Sequence, residues 1–132
     1  MPARWTHITA VVSDLERSIQ FYTSFCGLQL LLDRRKQGGS TVWLGYEPAE
    51  GEYPTFILVL MQGEVKNLLE HLGFQCESKE QVDEIAETAR QQDILVEPPT
   101  FTGGAVGYWT VVRDPDGHQV EFTFGQPLKG LG

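Results

Sequence analysis

Basic residues are scarce in this chain of 132 residues: ten Lys and Arg stand against eighteen Asp and Glu, for a net charge of −8. That balance argues against nucleic acid or an anionic membrane surface as a partner, because both need a basic face. Long apolar runs are missing too, and none approaches the roughly 18 residues of a membrane span. The opening MPARWTHITAVV passes from one Arg into an alternating segment without the apolar core of a signal peptide. Cysteine is nearly absent. Cys26 and Cys76 form no C-x-x-C pair and sit among apolar neighbours, so buried inert thiols and a cytoplasmic location are expected.

What is present is an ordinary globular composition, 41% hydrophobic and 21% charged. A chain of this length buries about two-thirds of its unfolded surface and holds together without disulfides or zinc.

An internal repeat organises it. WTHITAVV alternates, with His7, Thr9 and Val11 on one face and Ile8, Ala10 and Val12 on the other, as a strand covered on one side does. A helix follows, with Ser13 and Glu16 in capping-box spacing, a stripe of Leu15, Ile19, Tyr22 and Cys26, and Gly27 as the stop. Three strand-like runs come next: LQLLLDRR, STVWLGY and PTFILVLMQ. The order then restarts with HLGFQCES, a second capping box at Ser78 and Gln81, and a stripe of Val82, Ile85, Ala86 and Ala89. ILVEP, YWTVVR and HQVEFTF close the second round. The expected architecture is α+β, one domain over residues 1–132. It holds two paired βαβββ modules, at about 4–62 and 68–125, whose helix-free faces form an open-barrel cleft.

Strand parity puts His7 with Thr9, His71 with Gly73, and Glu121 with Thr123 on those helix-free faces. Two imidazoles and a carboxylate are proper ligands for a divalent ion, and they leave positions open for water and substrate. His7, His71 and Glu121 are therefore the expected metal ligands. Trp43, Tyr108 and Trp109 are candidates for the walls of a substrate pocket, with Arg113 as a carboxylate binder. The Gly103–Gly107 stretch reads as a mobile loop at the cleft edge.

The segments HITAVVSDLERSIQFYTSFCGL and RDPDGHQVEF resemble the vicinal oxygen chelate superfamily, which includes glyoxalase I, fosfomycin-resistance enzymes, extradiol dioxygenases and bleomycin-resistance proteins. The resemblance implies paired βαβββ modules around a metal cleft. It also implies a divalent cofactor (Fe, Mn, Ni or Zn) acting as a Lewis acid on a small substrate with vicinal oxygens, in lyase, isomerase, thiol-transferase or dioxygenase-like chemistry. Catalytic roles fall to Glu121, as a ligand, and to Thr9, which matches the fosfomycin thiol-transferase pattern. A homodimer is expected, with modules side by side or exchanged.

Departures from the family pattern bear on the reaction. Glyoxalase I has a second carboxylate on the last strand of the first module, where a constant repeat offset of 64 places Ile57. Val111 stands where a tyrosine would. With two of the three histidines used as ligands, His118 alone remains, in a DPDGH turn where a surface position is expected. The alternative reading is a metal-free protein that sequesters a drug or toxin, as bleomycin-resistance proteins do.

Overall fold

Each half of the chain folds in the strand–helix–strand–strand–strand order read from the repeat. The computed structural model describes residues 2–128, which divide into one compact unit over 2–66 and another over 67–128. The first contains β1 (His7–Val12), α1 (Leu15–Cys26), β2 (Gln29–Asp33), a 3-10 turn at Arg34–Gln37, β3 (Thr41–Gly45) and β4 (Ile57–Gln62). The second contains β5 (Leu72–Gln75), α2 (Lys79–Gln91), β6 (Leu95–Gly103), β7 (Gly107–Arg113) and β8 (Gln119–Phe124). Both sheets are four-stranded with the same order, β1-β4-β3-β2 and β5-β8-β7-β6. In each, the first and last strands are parallel neighbours and the remaining pairs are antiparallel. This is an α+β fold of two βαβββ units.

The alternation sets which face is covered. In the first unit Ala10, Val12, Val42, Leu44, Leu58 and Leu60 are buried together with Leu15, Phe21 and Tyr22 of α1. In the second, Val112, Val120 and Phe122 are buried along with Val82, Ala86 and Ala89 of α2. The opposite face of each sheet carries the residues with ligand chemistry.

The two helix starts differ. Ser78 caps α2 as expected, its hydroxyl accepting from the Gln81 amide at 3.1 Å. The Gln81 side chain reaches back one residue beyond the cap, accepting from the Glu77 amide at 2.7 Å. The first helix departs from its predicted box: Asp14, not Ser13, is the cap, accepting from the Arg17 amide at 3.4 Å. A carboxylate there faces the positive end of the helix dipole. The Gln62 side chain accepts from the Leu15 amide at 3.1 Å, satisfying another first-turn donor. Glu16 is thereby released to pair with Arg35 at 2.6 Å. Ser78→Ala is expected to cost about 1 kcal/mol in urea unfolding, with Ser78→Asn close to wild type. Equal midpoints for the alanine variant and wild type would count against the cap.

The structure adds detail to two segments of the second unit. β6 runs on through Gly103 with three register shifts, and its prolines Pro98 and Pro99 are tolerated because it is an edge strand. The Gly103–Gly107 stretch is a tight hairpin turn, closed by the Val106 amide donating to the Gly103 carbonyl at 3.1 Å. Gly107 has φ +77, and a Cβ there would lie 2.4 Å from the Phe124 carbonyl oxygen, so only glycine fits.

Candidate functional site

Glu121 lies at the centre of the uncovered face of the second sheet. Its strand neighbours are Gly73 on β5 and Val111 on β7. Gly73 has no side chain and a Cβ built there would meet nothing within 4 Å, so one flank of the carboxylate is open. His71, two residues before Gly73, reaches into that opening. Its Nε2 stands 3.4 Å from Glu121 Oε2, with the glutamate side chain 17% exposed and the histidine 48%. Nδ1 faces Glu70 at 3.9 Å, beyond hydrogen-bond range. Two ligand atoms each about 2.1 Å from an ion and about 90–110° apart lie roughly 3.0–3.4 Å from one another. The Nε2 and Oε2 atoms thus already have the spacing of two positions in one coordination sphere.

His7 opens β1 on the uncovered face of the first sheet. The Thr6 hydroxyl and His7 Nδ1 are 2.9 Å apart, a hydrogen bond that leaves Nε2 without a partner among the described residues. The register aligns His7 with Ile57, and Thr9 and Trp43 with Val59. All five residues line an open pocket of about 420 Å³, together with Arg34. Among the described residues no group of three or more His, Cys, Asp or Glu side chains stands close enough to hold an ion. The pair His71–Glu121 belongs to one unit and His7 to the other.

Strand register also corrects the repeat arithmetic. Glu121 pairs with the residue two after His71, and the residue two after His7 is Thr9, whose partner is Val59. The counterpart of Glu121 is therefore Val59, not Ile57. The modules differ by two residues between their first and last strands, so one constant offset slips. Both positions are apolar and buried, and neither carries a second carboxylate.

The other candidates separate. Trp109 shares the Glu121 face and donates from its indole to the Thr102 hydroxyl at 2.9 Å. Tyr108 points the other way. Its hydroxyl donates to Asp83 on α2 in a short contact that pushes its pKa up, and Lys79 sits 4.8 Å from the ring centre. Arg113 donates to the Asp93 carbonyl at 2.5 Å, which ties the end of β7 to the α2–β6 turn. His118, expected at the surface, is buried at 1% exposure, with Nδ1 accepting from the Leu69 amide at 3.0 Å. Burial pushes the Cys76 thiol up to about 11, as suits an inert side chain, while Cys26 is only half-buried. Arg34 went unnoticed in the sequence because it is embedded in the charged run DRRK.

A sequence profile of the Glyoxalase/Bleomycin resistance protein/Dioxygenase superfamily matches residues 4–122, and the chain belongs to that superfamily. Uncharacterized protein PA2024 of Pseudomonas aeruginosa is 39% identical over 128 residues, covering 93% of this chain and 89% of its own. Lactoylglutathione lyase GLX1 of Arabidopsis thaliana is 28% identical over 123 residues; the match spans 89% of this chain but 43% of that enzyme, under half its length. Among solved structures, a possible glyoxalase from Bacillus cereus is 29% identical with TM-score 0.66, covering 90% of this chain and 96% of its own. A point mutant of the fosfomycin resistance protein FosX from Listeria monocytogenes, in complex with Mn(II) and 1S,2S-dihydroxypropylphosphonic acid, shares the fold at 20% identity and TM-score 0.76, covering 96% and 95%. No helix among the described residues is long and apolar enough to cross a membrane.

Proposed function

We propose that the chain is a metal-dependent member of the superfamily in which His71, Glu121 and His7 hold a divalent ion, and a small substrate docks through two adjacent oxygens. The observation that carries this reading is the 3.4 Å separation of His71 Nε2 and Glu121 Oε2 on the uncovered sheet face. Imidazole with carboxylate suits Fe(II), Mn(II), Ni(II) or Zn(II), and FosX, which shares the fold, binds Mn(II). When bound, the ion supplies Lewis acidity to the chelated oxygens. Glu121 holds its charge against the ion, and Thr9, in the His7 pocket, offers a hydroxyl to a substrate oxygen. His7 completes the set either within one chain or by module exchange in a homodimer. Metal analysis of the purified protein is the direct test. A stoichiometric divalent ion supports the reading, and a metal-free protein that binds small molecules would replace it with the sequestering role.

The neighbours of Glu121 limit the chemistry. Val111 lies directly across from it, and Val59 and Ile57 occupy the matching strand of the other unit, so none of these positions offers a proton-transfer group. Turnover in standard catechol-cleavage and methylglyoxal–glutathione assays is expected to be weak or absent. Efficient turnover of either, abolished in His71→Ala, would overturn that expectation.

A further inference from the structure

We infer that the pocket beside His7 selects ligands bearing an oxyanion, a carboxylate or phosphonate, on a flat apolar body, with Arg34 as the residue that reads the anion. Only the idea that such a ligand also chelates an ion rests on the proposed function. The selection itself rests on the pocket. Of the side chains lining it, Arg34 is the one with a permanent charge, and no Asp or Glu joins it. The remainder is the His7 imidazole, threonine hydroxyls and apolar or aromatic surface, including Trp43, Tyr53 and Ile57. In a chain of net charge −8, a pocket with one cation and no acid is a local exception.

The reason Arg34 keeps its charge available lies in its neighbours. Asp33, the adjacent acid, is saturated by Arg35: Oδ1 accepts from the Arg35 amide at 3.0 Å and from Nε at 2.9 Å, and Oδ2 from Nη2 at 2.8 Å. That guanidinium holds the Asp33 carboxyl below its ordinary range. Glu16, the other nearby acid, is taken by Arg35 Nη1 at 2.6 Å. Arg34 has no ion-pair partner among the described residues. Its backbone is held as well, since the Gly39 amide donates to the Arg34 carbonyl at 2.9 Å and Gly38, at φ +83, closes the turn. A planar guanidinium on a fixed turn can grip an oxyanion through two parallel hydrogen bonds. A pocket of about 420 Å³ suits a ligand of one aromatic ring with substituents.

Benzoate, phenylphosphonate and uncharged benzamide, titrated into metal-free protein at low salt and followed by NMR, test the selection. At least one of the two anions should bind about tenfold more tightly than benzamide, with the advantage shrinking as salt is raised. Arg34→Gln should abolish the preference, bringing the anions down to the affinity of benzamide, while leaving the urea midpoint unchanged. Lys36→Gln, which removes the same charge from the same turn outside the pocket, should keep it. Equal binding of all three ligands by wild type would overturn the inference, and so would an equal loss in the Lys36 variant, which would reduce it to net charge. A protein that holds a metal yet shows no preference sinks this inference alone. One that holds no metal but keeps an Arg34-dependent preference sinks the proposed function alone.

Discussion

Glu121→Ala and His71→Ala are each expected to lower the affinity of the purified protein for Mn(II) by more than about 100-fold, since outer-shell changes alone cost roughly 10–100-fold at metal sites. In the proposed site both atoms of the 3.4 Å pair are direct ligands, and an ion that loses one of them loses charge or a coordination position that water fills poorly. Glu121→Gln separates the two contributions, because it keeps shape while removing charge. His7→Ala should match the other two if His7 is the third ligand. Mixing refolded His7→Ala and Glu121→Ala chains then reads the assembly. Exchanged modules regenerate one intact site per dimer and restore binding, whereas sites built within single chains stay broken. Wild-type affinity in all three alanine variants would remove the metal reading.

The second large effect is on stability. His118→Ala is expected to cost about 2–4 kcal/mol in urea unfolding, combining a cavity with a stranded amide. The imidazole is buried at 1% exposure and its Nδ1 is the acceptor for the Leu69 amide at 3.0 Å. The turn around it is equally committed. Asp114, itself buried, accepts from the amides of Asp116 and His118 at 2.9 Å each, and the Asp114 amide donates to the His118 carbonyl at 2.8 Å. His118→Leu fills the volume but leaves the Leu69 donor unsatisfied, for about 1–3 kcal/mol. Leu69 lies two residues before His71, so the leucine variant should also weaken Mn(II) binding by about tenfold, a typical outer-shell effect. A His118→Ala protein within about 0.5 kcal/mol of wild type would show the buried contact to be dispensable.

Much of this was legible in the residues because strands and helices have fixed periods. Period two put Glu121 on the face away from the buried Phe122 and Val120, and His7 away from the buried Ala10 and Val12. The second capping box and the Val82–Ala86–Ala89 stripe were equally readable, because each depends on residues within a few positions of one another. Cap choice at the first helix was not, since Ser13 and Asp14 are both good caps and the choice between them involves Gln62 and Arg35, distant in sequence.

By itself, then, the sequence determined the repeat, the two βαβββ units and the faces of His7 and Glu121, all properties of local periodicity. Tertiary structure decided what depends on distant partners. Strand pairing made Val59 rather than Ile57 the first-module counterpart of Glu121, because the stretch of chain from first to last strand differs by two residues between the modules. Packing put His118 under the segment that leads to His71, turned Tyr108 toward α2, and set Arg34 in the His7 pocket while Arg35 took the neighbouring acids. A charge in a DRRK run or a histidine in a turn has no period to betray its surroundings; only the neighbours that folding brings to it do.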